Sequence, residues 1–143
     1  MSLVEVSIAV ALLGLVAAAA LATLIALNKN AVSTRVMTGA REVVQRNMEA
    51  AVGAPFNSTT QPTILAVTGA SGVNWDDSGG TNAVPIYTSR DGSTNITGTL
   101  KRIVVAEANP LNADLRRVTF HLDYSMFGKN LNYEMSTIRA MDR

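Results

Sequence analysis

From Val6 to Asn28 no residue carries a charge; Glu5 stands just before this run and Lys29 just after it. A helix needs ~20 apolar residues to cross a bilayer, and this run is long enough. Its composition suits a helix. Leu12, Leu13 and Leu15 are followed by an alanine-rich stretch from Ala17 to Ala22, and Ala and Leu are the strongest helix formers. Gly14, Ala18 and Ala22 recur one helical turn apart, a spacing that lets helices approach closely in an apolar medium. Beyond Lys29 the apolar residues narrow to a single face: Val32, Val36, Ala40, Val43, Val44, Met48 and Ala51 keep helical spacing. Arg35, Arg41, Glu42, Arg46 and Glu49 fill the remainder, and Gly53 with Pro55 supplies a stop. The pattern predicts one helix from about Ser2 to Val52, ~75 Å long at ~1.5 Å per residue.

The rest of the chain changes period. Thr63 to Thr68 and Val84 to Thr88 read as short strands, and Leu100 to Glu107 as a β-branched one. Asn109-Pro110-Leu111-Asn112 is a turn signal. From Arg117 to Tyr124 the alternation is clean: Val118, Phe120, Leu122 and Tyr124 on one face, Thr119, His121 and Asp123 on the other. Phe127-Gly128-Lys129-Asn130 predicts a hairpin connection, after which Leu131, Tyr133 and Met135 begin a partner strand. The expected fold is α+β: a long N-terminal helix with an apolar first half, whose second half packs on a small antiparallel sheet of three strands. The segments are 1–28 for the apolar helix, 29–53 for its amphipathic continuation and 54–143 for a small β-rich domain.

Composition narrows the function. A length of 143 residues fits one compact domain plus one extra element. A net charge of +1 gives no electrostatic footprint for nucleic acid. With no cysteine, disulfides and thiolate metal sites are excluded. A secretory signal peptide would begin with basic residues and carry a shorter apolar core. Met1 to Glu5 holds neither Lys nor Arg, and the run is too long. A generic membrane anchor leaves Glu5 unexplained, because a carboxylate drawn into hydrocarbon costs on the order of a few kcal/mol.

Met1-Ser2-Leu3-Val4-Glu5-Val6, followed by Ser7-Ile8-Ala9-Val10-Ala11-Leu12-Leu13-Gly14-Leu15, resembles the mature N-terminus of the type IV pilin and pseudopilin superfamily. That N-terminus has an apolar first residue, Ser or Thr, Leu, an apolar residue, Glu, and then a long apolar helix. The resemblance spans about the first 28 residues. It implies a non-enzymatic structural subunit of a bacterial type IV pilus-like filament, with no cofactor, that forms a homopolymer through its apolar helix. The subunit would wait in the inner membrane, meet prepilin peptidase and the pilus assembly machinery, and end in a cell-surface filament. The resemblance further implies that Met1 is the processed, N-methylated terminus. Met1 and Glu5 would be assembly contacts, the Glu5 carboxylate meeting a neighbour's N-terminal amine, and Gly14 the point of helix flexibility. The alternative within the superfamily is a pseudopilin of a type II secretion system or a minor tip pilin. Two departures matter. Many pilins have proline at position 22, where this chain has Ala22, and many close a C-terminal loop with a disulfide, which this chain cannot form. The stretch from Gly14 to Ala22 is therefore expected to stay mostly helical even in a filament, or to loosen only near Gly14.

Candidate chemistry elsewhere is sparse. Asn74-Trp75-Asp76-Asp77-Ser78-Gly79-Gly80 offers oxygen ligands without the spacing of a calcium loop, and reads as a solvated loop with Trp75 as a surface anchor or contact. His121, the single histidine, sits on a polar strand face with no evident acid partner. The pairs Lys101-Arg102 and Arg116-Arg117 read as a solvated sheet face, or as a basic patch if their strands are neighbours. No phosphate loop, metal cluster or nucleophile–base pair is present. A single-pass membrane enzyme or sensor thus lacks its constellation.

Overall fold

The first element, α1, is an unbroken α-helix over Leu3–Gly53, 51 residues long, and its ends lie within about one residue of those the pattern predicts. A computed structural model describes residues 2–75, 83–108 and 114–142; the turn expected at Asn109 to Asn112 lies outside them. The chain divides into two compact units, Met1–Arg35 and Val36–Arg143. The first holds α1 as far as Arg35, and so includes the more polar stretch, about two turns, from Lys29 onward. Its large apolar side chains, Leu12, Leu13, Leu15, Leu24 and Ile25 among them, are exposed. Among the described residues it contributes the one helix long and apolar enough to cross a membrane.

The second unit is an α+β domain. From Val36 on, α1 buries Val36, Ala40, Val43, Val44, Asn47, Met48 and Ala51. This is the predicted face, beginning at Val36 and joined by a polar residue that periodicity does not select. The sheet has five strands: β1 (Val73–Asn74), β2 (Val84–Thr88), β3 (Asn95–Glu107), β4 (Leu115–Met126) and β5 (Lys129–Ala140). All pairings are antiparallel, in the order β1-β3-β4-β5, with β2 also on β3. Both short strands line the edge of β3 that faces away from β4. The pairing of β2 with β3 shifts register between Pro85 and Tyr87, as suits an edge strand containing a residue without an N–H. The hairpin between β4 and β5 turns on Phe127 and Gly128, both at positive φ (50° and 73°). This is the twist-matched two-residue connection.

The core lies between the sheet's inner face and α1. Phe56, Leu65, Leu100, Leu122, Phe120, Val104 and Val118 are fully buried in it. Gly39 sets the closest approach of α1 to the sheet: a Cβ there would collide with the carbonyl oxygen of Ile86 on β2. Only a residue without a side chain allows that contact. The expected strand from Thr63 to Thr68 is instead a single 3-10 turn, Thr63–Leu65, entered through Pro62. Its carbonyls are taken by side chains rather than by a neighbouring strand. Thr68 alone among the described residues of this segment bonds to the backbone of the sheet, its N–H donating to the Val104 carbonyl and its hydroxyl accepting from the Val104 N–H.

Candidate functional site

At the N-terminus of α1 the Ser2 amide donates to Glu5 Oε2 at 3.0 Å, and the Val4 amide donates to Ser2 Oγ at 3.4 Å. Ser2-Leu3-Val4-Glu5 is thus a capping box, in which each side chain satisfies an amide that the helix leaves unpaired. The signal stands in the sequence as Ser followed three residues later by Glu. The Glu5 carboxylate also complements the positive end of the helix dipole, so it is fixed in place within a single chain. Met1 lies outside the described residues. Gly14 is helical with open space around it, and α1 runs without a break through Gly14 to Ala22 in the isolated chain. The hydroxyls inside the apolar run bond back to their own helix: Ser7 Oγ to the Leu3 carbonyl and Thr23 Oγ1 to the Ala19 carbonyl, both at 2.9 Å. No water is needed to satisfy them, as an apolar surrounding requires.

In the second unit the two basic pairs split between the faces of the sheet. Lys101 and Arg117 point outward, to Asp123 (3.8 Å) and Glu107 (2.6 Å). Arg102 and Arg116 point into the core, only 4% and 5% exposed. Both sequence readings, a solvated face and a basic patch, are therefore corrected for these two residues. Strand alternation puts one member of each pair inward, and the 61–66 segment gives it partners. Arg116 donates to the Leu65 carbonyl (2.6 Å), to Gln61 (3.1 Å) and to Asp114 (2.9 Å), and lies 4.4 Å from the centre of the Phe56 ring. Arg102 donates to the carbonyls of Thr63 (2.6 Å) and Ala66 (2.9 Å), with Trp75 stacked on it at 4.7 Å. Burial pushes the Arg102 guanidinium below its ordinary pKa. Trp75 in turn donates from its indole to Asn47 on α1 at 3.1 Å, which explains the buried asparagine. Asp76, Asp77, Ser78, Gly79 and Gly80 of the oxygen-rich loop lie outside the described residues.

His121 does have acid partners, contrary to the sequence reading. Cross-strand pairing sets it opposite Glu134, and its ring nitrogens meet Glu134 (Nδ1, 3.1 Å) and Asp123 (Nε2, 2.9 Å). The hydrogen bond to Glu134, followed by the contacts with Asp123, holds the imidazole pKa above its ordinary value, against the burial that lowers it. A raised folded-state pKa means stability that is complete below about pH 6.5, the unfolded value, and is lost as pH rises through the folded value. His121→Gln is therefore expected to destabilise the domain at pH ~5.5 and to have almost no effect at pH ~8.5. The difference should stay under about 1 kcal/mol, because the pair is exposed. Urea unfolding at the two pH values measures it, and an equal loss at both would remove protonation from the account.

The described residues include no group of three or more His, Asp or Glu side chains placed to share a metal ion. Comparison with protein-family models, with curated proteins and with solved structures finds no match.

Proposed function

We propose that the chain is a structural subunit of a type IV pilin-like filament and polymerises through the apolar half of α1. The observation that carries this reading is a carboxylate at position 5 that opens a charge-free run within one unbroken helix, its apolar side chains uncovered. Such a surface requires lipid or other apolar helices around it. A bilayer anchor alone accounts for the apolar run, and there Glu5 serves only as the helix cap it forms with Ser2. In a filament, Glu5 pairs with the N-terminal amine of an adjacent Met1, since two charges in an apolar core are tolerable mainly when paired. The chain then passes from an inner-membrane pool, by way of prepilin peptidase and the assembly machinery, to a cell-surface fibre. It has no enzymatic role.

Electron microscopy of sheared surface material, with mass spectrometry of the fibre protein, tests this. Fibres are expected whose subunit begins at Met1 with one methyl group on its amine. A retained basic leader, an unmodified amine throughout, or no fibre containing this chain would overturn it. Fibre length and abundance in the same micrographs separate a surface pilus from a short secretion pseudopilus or a tip subunit.

A further inference from the structure

We propose that the free edge of β5 pairs antiparallel with the same edge of a second copy, centred on Tyr133. β5 is the last strand in the sheet order, and its 12 residues follow β4 in unbroken register from Leu115↔Ala140 to Met126↔Lys129. Among the described residues no strand covers its other side. Neither proline nor a bulge interrupts it, so it lacks two devices that commonly protect an edge. Its inward row is also unfinished. Leu131, Tyr133, Met135 and Thr137 are half-exposed, whereas their partners on β4 (Tyr124, Leu122, Phe120 and Val118) are buried. α1 covers this row only in part, with Arg41 over the Tyr133 ring at 5.9 Å from its centre.

The strand's own sequence selects the occupant. With Tyr133 facing Tyr133 of the second copy, Leu131 faces Met135, Asn132 faces Glu134, Asn130 faces Ser136 and Lys129 faces Thr137. On the inner face apolar residues meet apolar ones except at its ends, where Lys129 meets Thr137, and polar meet polar on the outer. The two Glu134 carboxylates stand diagonally across the seam, and each is bonded to His121 of its own chain at 3.1 Å; Asp123, itself paired with Lys101, bonds the other nitrogen of that histidine. Moving the centre to Glu134 puts two carboxylates directly opposite and sets Lys129 against Arg139, both destabilising. Moving it to Met135 sets Leu131 against Arg139 and Asn132 against Ile138. A centre between residues would set the inner row of one copy against the outer row of the other.

This pairing has a two-fold axis, which cannot relate successive subunits of a polar filament. It joins two isolated chains or two filaments side by side, and does not depend on the function proposed above. One such seam is weak by itself and gains strength by repetition along an assembly.

The chain has no cysteine, so introduced thiols report without background. Directly opposed residues of an antiparallel pair have Cα atoms about 4.5–5.5 Å apart, within disulfide reach of about 4.4–6.8 Å. In the full chain held in detergent micelles, Tyr133→Cys is expected to form disulfide dimers several-fold faster than Ser125→Cys, an exposed control away from the edge. Adding Asn132→Glu should slow that dimerisation, because it faces Glu134, and Asn132→Lys should speed it. As a second measure that spares Tyr133, Asn132→Cys mixed with Glu134→Cys should yield mostly mixed dimers. Equal rates at positions 133 and 125, the same response to either charge at position 132, or random pairing in the mixture would overturn the proposal.

Discussion

Glu5→Val is expected to leave the chain in the membrane and to cut filament assembly by roughly tenfold or more, the factor that about 1.4 kcal/mol of lost pairing produces. The capping box adds a complication that a second substitution resolves. Val at position 5 also removes the acceptor for the Ser2 amide, which by itself costs on the order of 1 kcal/mol at the helix start. Glu5→Gln keeps a capping acceptor and loses only the charge. If the carboxylate's task is to meet a neighbour's amine, Gln fails in assembly nearly as badly as Val. If Gln assembles normally, Glu5 is a helix cap and the charge-pairing account is wrong. Membrane fractionation and electron microscopy of the two variants decide it.

Arg116→Ala is expected to destabilise the second unit by about 3 kcal/mol, in the range found when one partner of a buried charged network is removed. The side chain is nearly buried and joins the Leu65 carbonyl, Gln61 and Asp114 to the face of Phe56. Its loss strands the Leu65 carbonyl and opens a gap beside Phe56, while Asp114, a third exposed, turns to water. Urea unfolding followed through Trp75, the sole tryptophan, measures the effect, since that ring stacks on Arg102 of the same arginine layer. A loss below about 1 kcal/mol would reduce Arg116 to the standing of a surface ion pair.

The parts of this fold readable from sequence are those with a strong period. The 3.6-residue pattern placed α1 to within about a residue at each end, and the alternation from Val118 to Tyr124 identified the inward face of β4. What escaped depends on partners distant in sequence. Arginine at an inward strand position looks misplaced until the carbonyls of Thr63, Leu65 and Ala66 are brought to it from roughly 36 to 51 residues away. The same carbonyls explain why the 63–68 segment, apolar enough for a strand, curls instead. β1 has two residues and carries no period at all. His121 looked isolated because Glu134 becomes its neighbour only through the β4–β5 register. Glu5 reads in the sequence as a charge out of place, and its spacing of three from Ser2 is the signal for its local role as a helix cap.

The C-terminal clasp has a consequence for the order in which the domain forms. The Phe56 amide donates to Asp142 at 2.9 Å, the Asp142 amide donates to the Phe56 carbonyl at 2.6 Å, and Arg139 reaches both Asp142 (2.6 Å) and the Ala54 carbonyl (3.3 Å). The Phe56 N–H, and then Arg139, hold the Asp142 carboxyl below its usual pKa. These contacts span 85 and 86 residues of chain, so the loop they close costs more entropy than any hairpin in the sheet. Asp142, which fastens the exit of the helix, follows every strand of the sheet along the chain. A chain synthesised only as far as β4 can nucleate α1 and the β3–β4 pairing, but it cannot finish the domain. The second unit therefore completes its folding only once residue 142 is free to reach Phe56, and a chain cut short before Asp142 would lack that fastening.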